Sequence, residues 1–98
     1  MLIMIKHDYY NDLINVPDSI AKNIKKYQNK FDKWLHDKSN NHPFWETDKF
    51  GKKLAAITSS EAFIYWINEF VLSDSKQKAV LYEENTNVYD ELIPKIWF

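Results

Sequence analysis

The histidines are the first residues whose type could do chemistry. His7 precedes Asp8, His36 precedes Asp37, and His42 lies six residues beyond His36. A zinc site needs three or four converging donors, and its ligands are usually paired at short spacing. That pairing is missing here. We therefore interpret all three as surface histidines and expect no metal.

Two adjacent serines are the candidate nucleophiles. Ser59 or Ser60 could attack a substrate if a histidine acted as its base. Both serines, however, stand where a helix is predicted to begin, and serine at that position caps free backbone N–H groups. We therefore assign them to capping.

Acid–base and phosphate chemistry have little support. Neighbouring acids occur at Glu83 and Glu84 and at Asp90 and Glu91, but adjacent carboxylates in a loop or strand diverge or stay solvated. The single glycine, Gly51, excludes a glycine-rich phosphate loop. The sequence therefore predicts a protein that is not an enzyme and needs no cofactor.

Composition favours one cytoplasmic domain. Cysteine is absent, which excludes disulfides and thiolate ligands and is typical of a reducing compartment. The apolar start MLIMIK is too short for a signal peptide or a membrane span. A chain of 98 residues suits one hydrophobic core. We expect a single domain over residues 1–98 without membrane contact.

Charge is divided unevenly along a chain whose net charge is −1. Residues 1–53 carry ten lysines against seven acids, whereas residues 54–98 carry three lysines against seven acids. Every basic side chain apart from histidine is lysine, so the bidentate arginine that reads phosphate and guanine is absent. Nucleic-acid binding becomes a weaker expectation.

Residues 18–37 show the first strong helical pattern. Val16-Pro17-Asp18-Ser19 is typical of a helix start. Apolar residues follow on one face, namely Ile20, Ile24, Tyr27, Phe31, Trp34 and Leu35. The opposite face carries Lys22, Lys25, Lys26, Lys30 and Lys33. Such a face is usually solvated, but it leaves open a small nucleic-acid-binding regulator.

A second helix is predicted to begin at Thr58-Ser59-Ser60-Glu61, a capping box in which Thr58 caps and Glu61 reaches back. Its apolar stripe comprises Phe63, Trp66, Ile67, Phe70 and Val71, and it should end near Ser73. Ile64, Tyr65 and Leu72 widen this stripe towards all-round hydrophobicity, and that breadth predicts a heavily buried helix.

The segment between the helices, residues 39–51, reads as irregular because asparagine and proline favour turns. Phe44, Trp45 and Phe50 should pack back on the first helix, although a loop exposing Trp45 would suit binding. The run 54–57 could be a strand or a short helix.

Strands are expected at 1–6, 78–83 and 92–98, with loop or a single turn at 7–15 and an acidic loop at 84–91. Pro94 places the last strand at a sheet edge or makes it start later. We predict an α+β fold with two main amphipathic helices on a small, mostly antiparallel sheet; an all-α fold is the alternative.

The acids of the C-terminal half, with two tyrosines among them, suit a basic protein partner, since complementary charge speeds encounter and tyrosine anchors interfaces. The predicted partner-binding residues are Asp74, Tyr82, Glu83, Glu84, Tyr89, Asp90 and Glu91. The sequence does not predict an oligomeric state.

Three stretches carry a resemblance: HPFWETDKFG, SSEAFIYWINEFVL, and AVLYEENT with the closing DELIPKIWF. In these, the chain resembles small immunity proteins of bacterial polymorphic toxin systems, particularly those of contact-dependent growth inhibition. The resemblance implies a cytosolic protein that binds the toxin domain of its own system, often a ribonuclease, and blocks its active site. A phage-type inhibitor of a host protein is a further alternative.

Overall fold

The computed structural model describes residues 1–87 and 90–98. Its strands are β1 (Leu2–Lys6), β2 (Asn11–Asn15), β3 (Trp45–Thr47), β4 (Lys53–Ala56), β5 (Val80–Thr86) and β6 (Lys95–Trp97). Its helices are α1 (Asp18–Ala21), α2 (Ile24–His36) and α3 (Ser60–Trp66), which continues as a π-helical segment, Ile67–Val71. The α+β prediction is confirmed, and the all-α alternative is wrong.

The main sheet has four strands in the order β5-β2-β1-β6. β2 pairs antiparallel with both β1 and β5, and only β6 runs parallel to its neighbour, β1. The sheet is therefore mostly antiparallel, as predicted. β6 begins directly after Pro94 and lies at an edge, which satisfies the restriction that proline imposes.

The sequence did not predict β2, because residues 7–15 were expected to be loop or turn. β2 forms a hairpin with β1, and its central residues Asp12, Leu13 and Ile14 are all buried. A buried carboxylate next to two apolar residues hides the alternation by which a strand is recognised. Asp12 is tolerated there because its oxygens accept hydrogen bonds from Ser60 and Asn85, which are distant in sequence.

The predicted helix over 18–37 is interrupted at Lys22 and Asn23, which separate α1 from α2. The side-chain amide of Asn23 donates to the carbonyl of Ser19, the group to which its own backbone N–H would donate in a continuous helix. That backbone N–H donates to Ile20 instead. The apolar and lysine faces of α2 nevertheless lie as predicted, with Phe31 and Leu35 fully buried and the lysines exposed.

The core lies between one face of the main sheet and the helices α2 and α3. Phe31 is at its centre, with its ring 5.2 Å from that of Phe63, 5.6 Å from Phe98 and 6.0 Å from Trp66. Fully buried isoleucines from β1, β2 and β6 close the sheet side. Burial of large aromatic side chains supplies much of the driving force in so short a chain.

Two details of the second helix differ from prediction. Its N-cap is Ser59, whose hydroxyl accepts from the backbone N–H of Ala62, so the assignment of the cap to Thr58 is wrong by one residue. The expectation that Phe70 is buried is also wrong, since 58% of it is exposed. Phe70 lies within the π-helical segment, where the 3.6-residue spacing that places it on the apolar stripe does not hold.

Residues 39–51 are more ordered than the predicted irregular segment. β3 and β4 form a two-stranded antiparallel sheet, and the run 54–57 lies largely in β4. Phe44 is half-buried and packs against the core. Trp45 is half-buried too, but its ring stacks on His42 and not on α2. Phe50 is 83% exposed, so the prediction that it packs is wrong. In the described ranges 1–87 and 90–98, no helix combines the length and apolar character needed to cross a membrane.

Candidate partner-binding site

β5 is an edge strand whose side chains face solvent. Its one neighbour in the sheet is β2, and six of its seven residues are exposed. Val80, Leu81 and Tyr82 are exposed apolar or aromatic residues, and Glu83 and Glu84 follow them directly. An exposed edge of this composition is either protected or used for binding.

Two bulges give β5 its shape. Leu81 and Glu83 face neighbouring residues of β2, which leaves Tyr82 as an extra residue. Glu83 pairs with Leu13 and Thr86 pairs with Asn11, so Glu84 and Asn85 of β5 lie opposite the single residue Asp12 of β2. Bulges increase local twist and redirect side chains, which is how one strand exposes residues on both faces.

A buried polar cluster holds the second bulge in place. Asn85 has a positive φ of 55°, which is uncommon outside glycine, and its backbone N–H donates to Asp12 Oδ1 at 2.9 Å. The hydroxyl of Ser60 donates to Asp12 Oδ2 at 2.5 Å. His7 Nε2 lies 3.2 Å from the Ser60 oxygen and 3.3 Å from Asp12 Oδ2.

The polar cluster of His7, Asp12 and Ser60 has the residue types of a serine hydrolase but a different geometry. In such an enzyme the imidazole lies between the carboxylate and the hydroxyl and takes its proton. Here the hydroxyl donates directly to Asp12, and one imidazole nitrogen faces both partners. Ser60 and Asp12 are also buried, so the cluster serves to anchor α3 and β5 to β2.

This cluster also corrects two expectations. Ser60 bonds to Asp12 and does not act as a cap, which is the role of Ser59 alone. The interpretation of the histidines as surface residues is wrong for two of them: the His7 side chain is only 9% exposed, and His42 is buried, 2.8 Å from the carbonyl of Leu35. His36 is exposed, as predicted.

The described site residues separate into three places. Tyr82, Glu83 and Glu84 lie together on β5, and exposed Asp74 lies in the turn after the π-helical segment. Exposed Asp90 and Glu91 lie in the turn that leads to β6, at the opposite edge of the main sheet. That turn is closed by Asp90, which accepts from the backbone N–H of Leu92. Tyr89 lies outside the described residues.

A second exposed region, the aromatic surface, comprises Trp34, Phe44, Tyr65 and Phe70. The rings of Trp34 and Phe70 are 5.4 Å apart, as are those of Phe44 and Tyr65. Trp45 lies beside it, stacked on His42 at 4.9 Å, and its indole N–H donates to the carbonyl of Asn40. From the sequence, exposure of Trp45 was an alternative that would suit binding, whereas Tyr65 and Phe70 were counted in the broad buried stripe of the second helix. Both are exposed, and Phe70 lies in the π-helical segment, which no sequence motif marks.

Metal binding has no support in the described part of the chain, where no group of three or more histidine, aspartate or glutamate side chains could hold an ion. Comparisons with protein-family models, with curated proteins and with solved structures found no match for this chain. The site is therefore characterised by its own geometry: an acidic, partly apolar edge strand on a fixed polar base.

Proposed function

We propose that this chain is an immunity protein that binds and neutralises a bacterial toxin domain, with β5 as the central part of its docking surface. The proposed toxin is a nuclease domain of a contact-dependent growth inhibition effector, and ribonuclease activity is the first to test. Binding takes place in the cytoplasm and blocks the active site of the toxin. The observation that carries the proposal is the edge strand β5, on which Tyr82 and two glutamates are exposed together.

The chemistry of β5 supports a basic protein as the partner. Nuclease surfaces that contact phosphates are basic, and an acidic strand complements them. Tyr82 supplies a rigid, amphipathic ring of the kind that is enriched at the centre of interfaces. The resemblance to immunity proteins supports the same partner class and adds the expectation that the toxin is encoded beside this chain.

The first experiment tests the function itself. The chain and the neighbouring toxin domain are produced together, and we expect them to purify as a complex and the chain to protect bacteria from the toxin. Failure to bind and to protect against every neighbouring toxin candidate would remove the proposal. A phage gene cluster around the chain, with no toxin gene, would favour the phage-type inhibitor.

The second experiment tests which acids form the interface. Reversal of Glu83, Glu84, Asp90 and Glu91 to lysine should weaken binding more than about tenfold while the fold stays intact. Because the structure separates these acids, two double variants are compared, Glu83→Lys with Glu84→Lys and Asp90→Lys with Glu91→Lys. We expect the β5 pair to cause most of the loss.

A matched control is the pair Glu46→Lys and Glu69→Lys, which changes the net charge equally at exposed positions of β3 and the π-helical segment. This pair should leave affinity within about twofold, since distant exposed charges are screened. Equal losses from all three pairs would mean that net charge and not β5 controls binding. Unchanged affinity in the β5 pair would move the interface to the region around Trp45.

A nucleic-acid-binding regulator remains the second candidate, because the five lysines of the first helical region are all exposed and none forms an ion pair with a described residue. It predicts binding to DNA or RNA that weakens steeply as salt rises. The absence of measurable binding at low salt would remove it.

A further inference from the structure

A groove of about 420 Å³ lies between β5 and the start of α3. Its apolar lining comes from Tyr10, Ile64 and Leu81, and two carboxylates, those of Glu61 and Glu84, also line it. Leu81 and Glu84 belong to β5, so the groove is continuous with the proposed docking surface. Glu61 belongs to the first turn of α3.

The base of the groove is already fully bonded. Asp12 and Ser60 line it and hydrogen-bond to each other, and the second oxygen of Asp12 is occupied by the backbone N–H of Asn85. His7 packs beneath through its contacts with both side chains and stacks on the Tyr10 ring at 4.3 Å. The groove is therefore preformed, and its base has no polar group left to bind a ligand.

Within the described residues, the two glutamates that line the groove, Glu61 and Glu84, are not hydrogen-bonded as Asp12 is. Both are exposed, and neither forms an ion pair or a hydrogen bond with any residue that the structure describes. Apolar surface beside two unpaired carboxylates complements a long cationic side chain, whose hydrocarbon stem packs on leucine, isoleucine and tyrosine while its charge reaches the acids.

The shape of β5 limits how a partner can bind at this edge. A partner strand would need a regular ladder of backbone hydrogen bonds, and two bulges interrupt that ladder within seven residues. A second copy of the chain is disfavoured as well, because antiparallel pairing of two β5 strands would bring glutamates close to glutamates. Side-chain capture is the mode that remains for a basic partner.

We propose that the groove between β5 and α3 captures a lysine or arginine side chain presented by a protein partner. The identity of that partner as a toxin domain rests on the proposed function, whereas the chemistry of the groove does not. The captured side chain anchors the partner next to Tyr82, with the charge held by Glu61 and Glu84.

The test uses the full chain labelled with ¹⁵N and two short peptides of identical shape. One is acetyl-Gly-Arg-Gly-amide, and the other contains citrulline, which replaces the guanidinium by a neutral urea. We expect the arginine peptide to shift amide resonances of Glu61, Ile64, Leu81 and Glu84, with a dissociation constant on the order of 1–10 mM. The dissociation constant of the citrulline peptide should be about fivefold higher.

The matched variants separate the groove from general acidity. Glu61→Gln with Glu84→Gln should abolish the difference between the two peptides, whereas Glu46→Gln with Glu69→Gln, which removes the same charge elsewhere, should preserve it. Thermal unfolding of both variants checks stability, since Glu61 also lies in a helical first turn where a negative charge is stabilising. Equal binding of both peptides, shifts outside the groove, or no shift at about 10 mM would overturn the proposal.

The two proposals fail differently. Arginine capture by the groove together with no complex with any toxin candidate would remove the immunity function and leave the groove standing. A toxin complex whose affinity is unchanged by Glu61→Gln with Glu84→Gln, but lost with Tyr82→Ala, would remove the groove and leave the function standing.

Discussion

The edge strand β5 and the aromatic surface both present apolar side chains to solvent, but they differ in what those side chains contact within the chain. The four rings of the aromatic surface contact one another, and Trp34 also contacts core Phe31 at 6.3 Å. Tyr82 makes no ring contact with any described residue, and its neighbours on β5 are Leu81 and Glu83. Exposed aromatic area alone therefore does not identify an interface.

The difference indicates separate roles. Side chains that satisfy one another across a surface stabilise the fold, whereas side chains held outward on a bulged strand are available to a partner. We therefore propose that the aromatic surface stabilises the fold and that β5 binds the partner. Substitutions in the aromatic surface should change the free energy of unfolding, whereas substitutions in β5 should change the affinity for the partner. Measurement of both quantities for each variant tests this separation.

The largest effect is expected at Trp34. Trp34→Ala removes a half-buried ring that contacts Phe31, Tyr65 and Phe70, and should lower the free energy of unfolding by about 2–4 kcal/mol. Denaturant unfolding measures the change. The control is Trp97→Ala, which removes a tryptophan that is 61% exposed and should cost less than about 1 kcal/mol. Equal costs would contradict the structural role of the aromatic surface.

A slightly smaller effect is expected at the base of β5. Asp12→Ala leaves the buried hydroxyl of Ser60 and the N–H of Asn85 without their acceptor and should cost about 2–3 kcal/mol in unfolding free energy. Asp8→Ala, at an exposed position of the adjacent turn, should be close to neutral. If Asp12→Ala were equally neutral, the polar cluster would not be what holds the bulge.

Tyr82 tests the binding half of the comparison. Tyr82→Ala should weaken the complex with the toxin domain by about 2 kcal/mol, roughly thirtyfold, and leave the melting temperature unchanged, because 63% of the side chain is exposed. Tyr9→Ala is the matched control, since Tyr9 is 97% exposed on the β1–β2 turn. Calorimetry of binding and thermal unfolding together give both readouts. A loss of stability without a loss of affinity would reverse our assignment.

The smallest effect is expected at Asp37, in the dependence of stability on acidic pH. The backbone N–H and hydroxyl of Ser39 donate to Asp37, beyond the end of α2, and hold the pKa of that carboxyl below its ordinary value of 3.8. A lowered folded-state pKa gives stability that is present above about pH 4 and is lost as pH falls through the folded value. The melting temperature of Asp37→Asn should therefore approach that of the wild type below this range. A difference in melting temperature that stays constant over the whole pH range would contradict this expectation.

Periodicity and capping residues were enough to predict the parts of the fold that depend on local sequence. The faces of α2, the start of α3 to within one residue, the strand β1 and the position of Pro94 before β6 all follow from neighbouring residues. Glu84 was expected in a loop but belongs to β5, because the strand continues to Thr86, which pairs with Asn11 of distant β2.

What could not be predicted depends on contacts between distant residues. His7, Asp12 and Ser60 are separated by up to 53 positions, so nothing local indicates that they meet. The bulges of β5 follow from its register with β2, and the π-helical segment that contains Phe70 is not marked by any motif. The acids were identified from the sequence, but their separation to opposite edges of the sheet required the topology.

Hydrogen–deuterium exchange of the chain, free and bound to the toxin domain, tests the central claim most directly. Backbone amides of residues 80–86 should become protected in the complex, while those of residues 44–47 beside the aromatic surface keep their exchange rates. Protection at residues 44–47 with unchanged exchange across β5 would contradict the account, because the partner would then be bound at the region that we assign to stability.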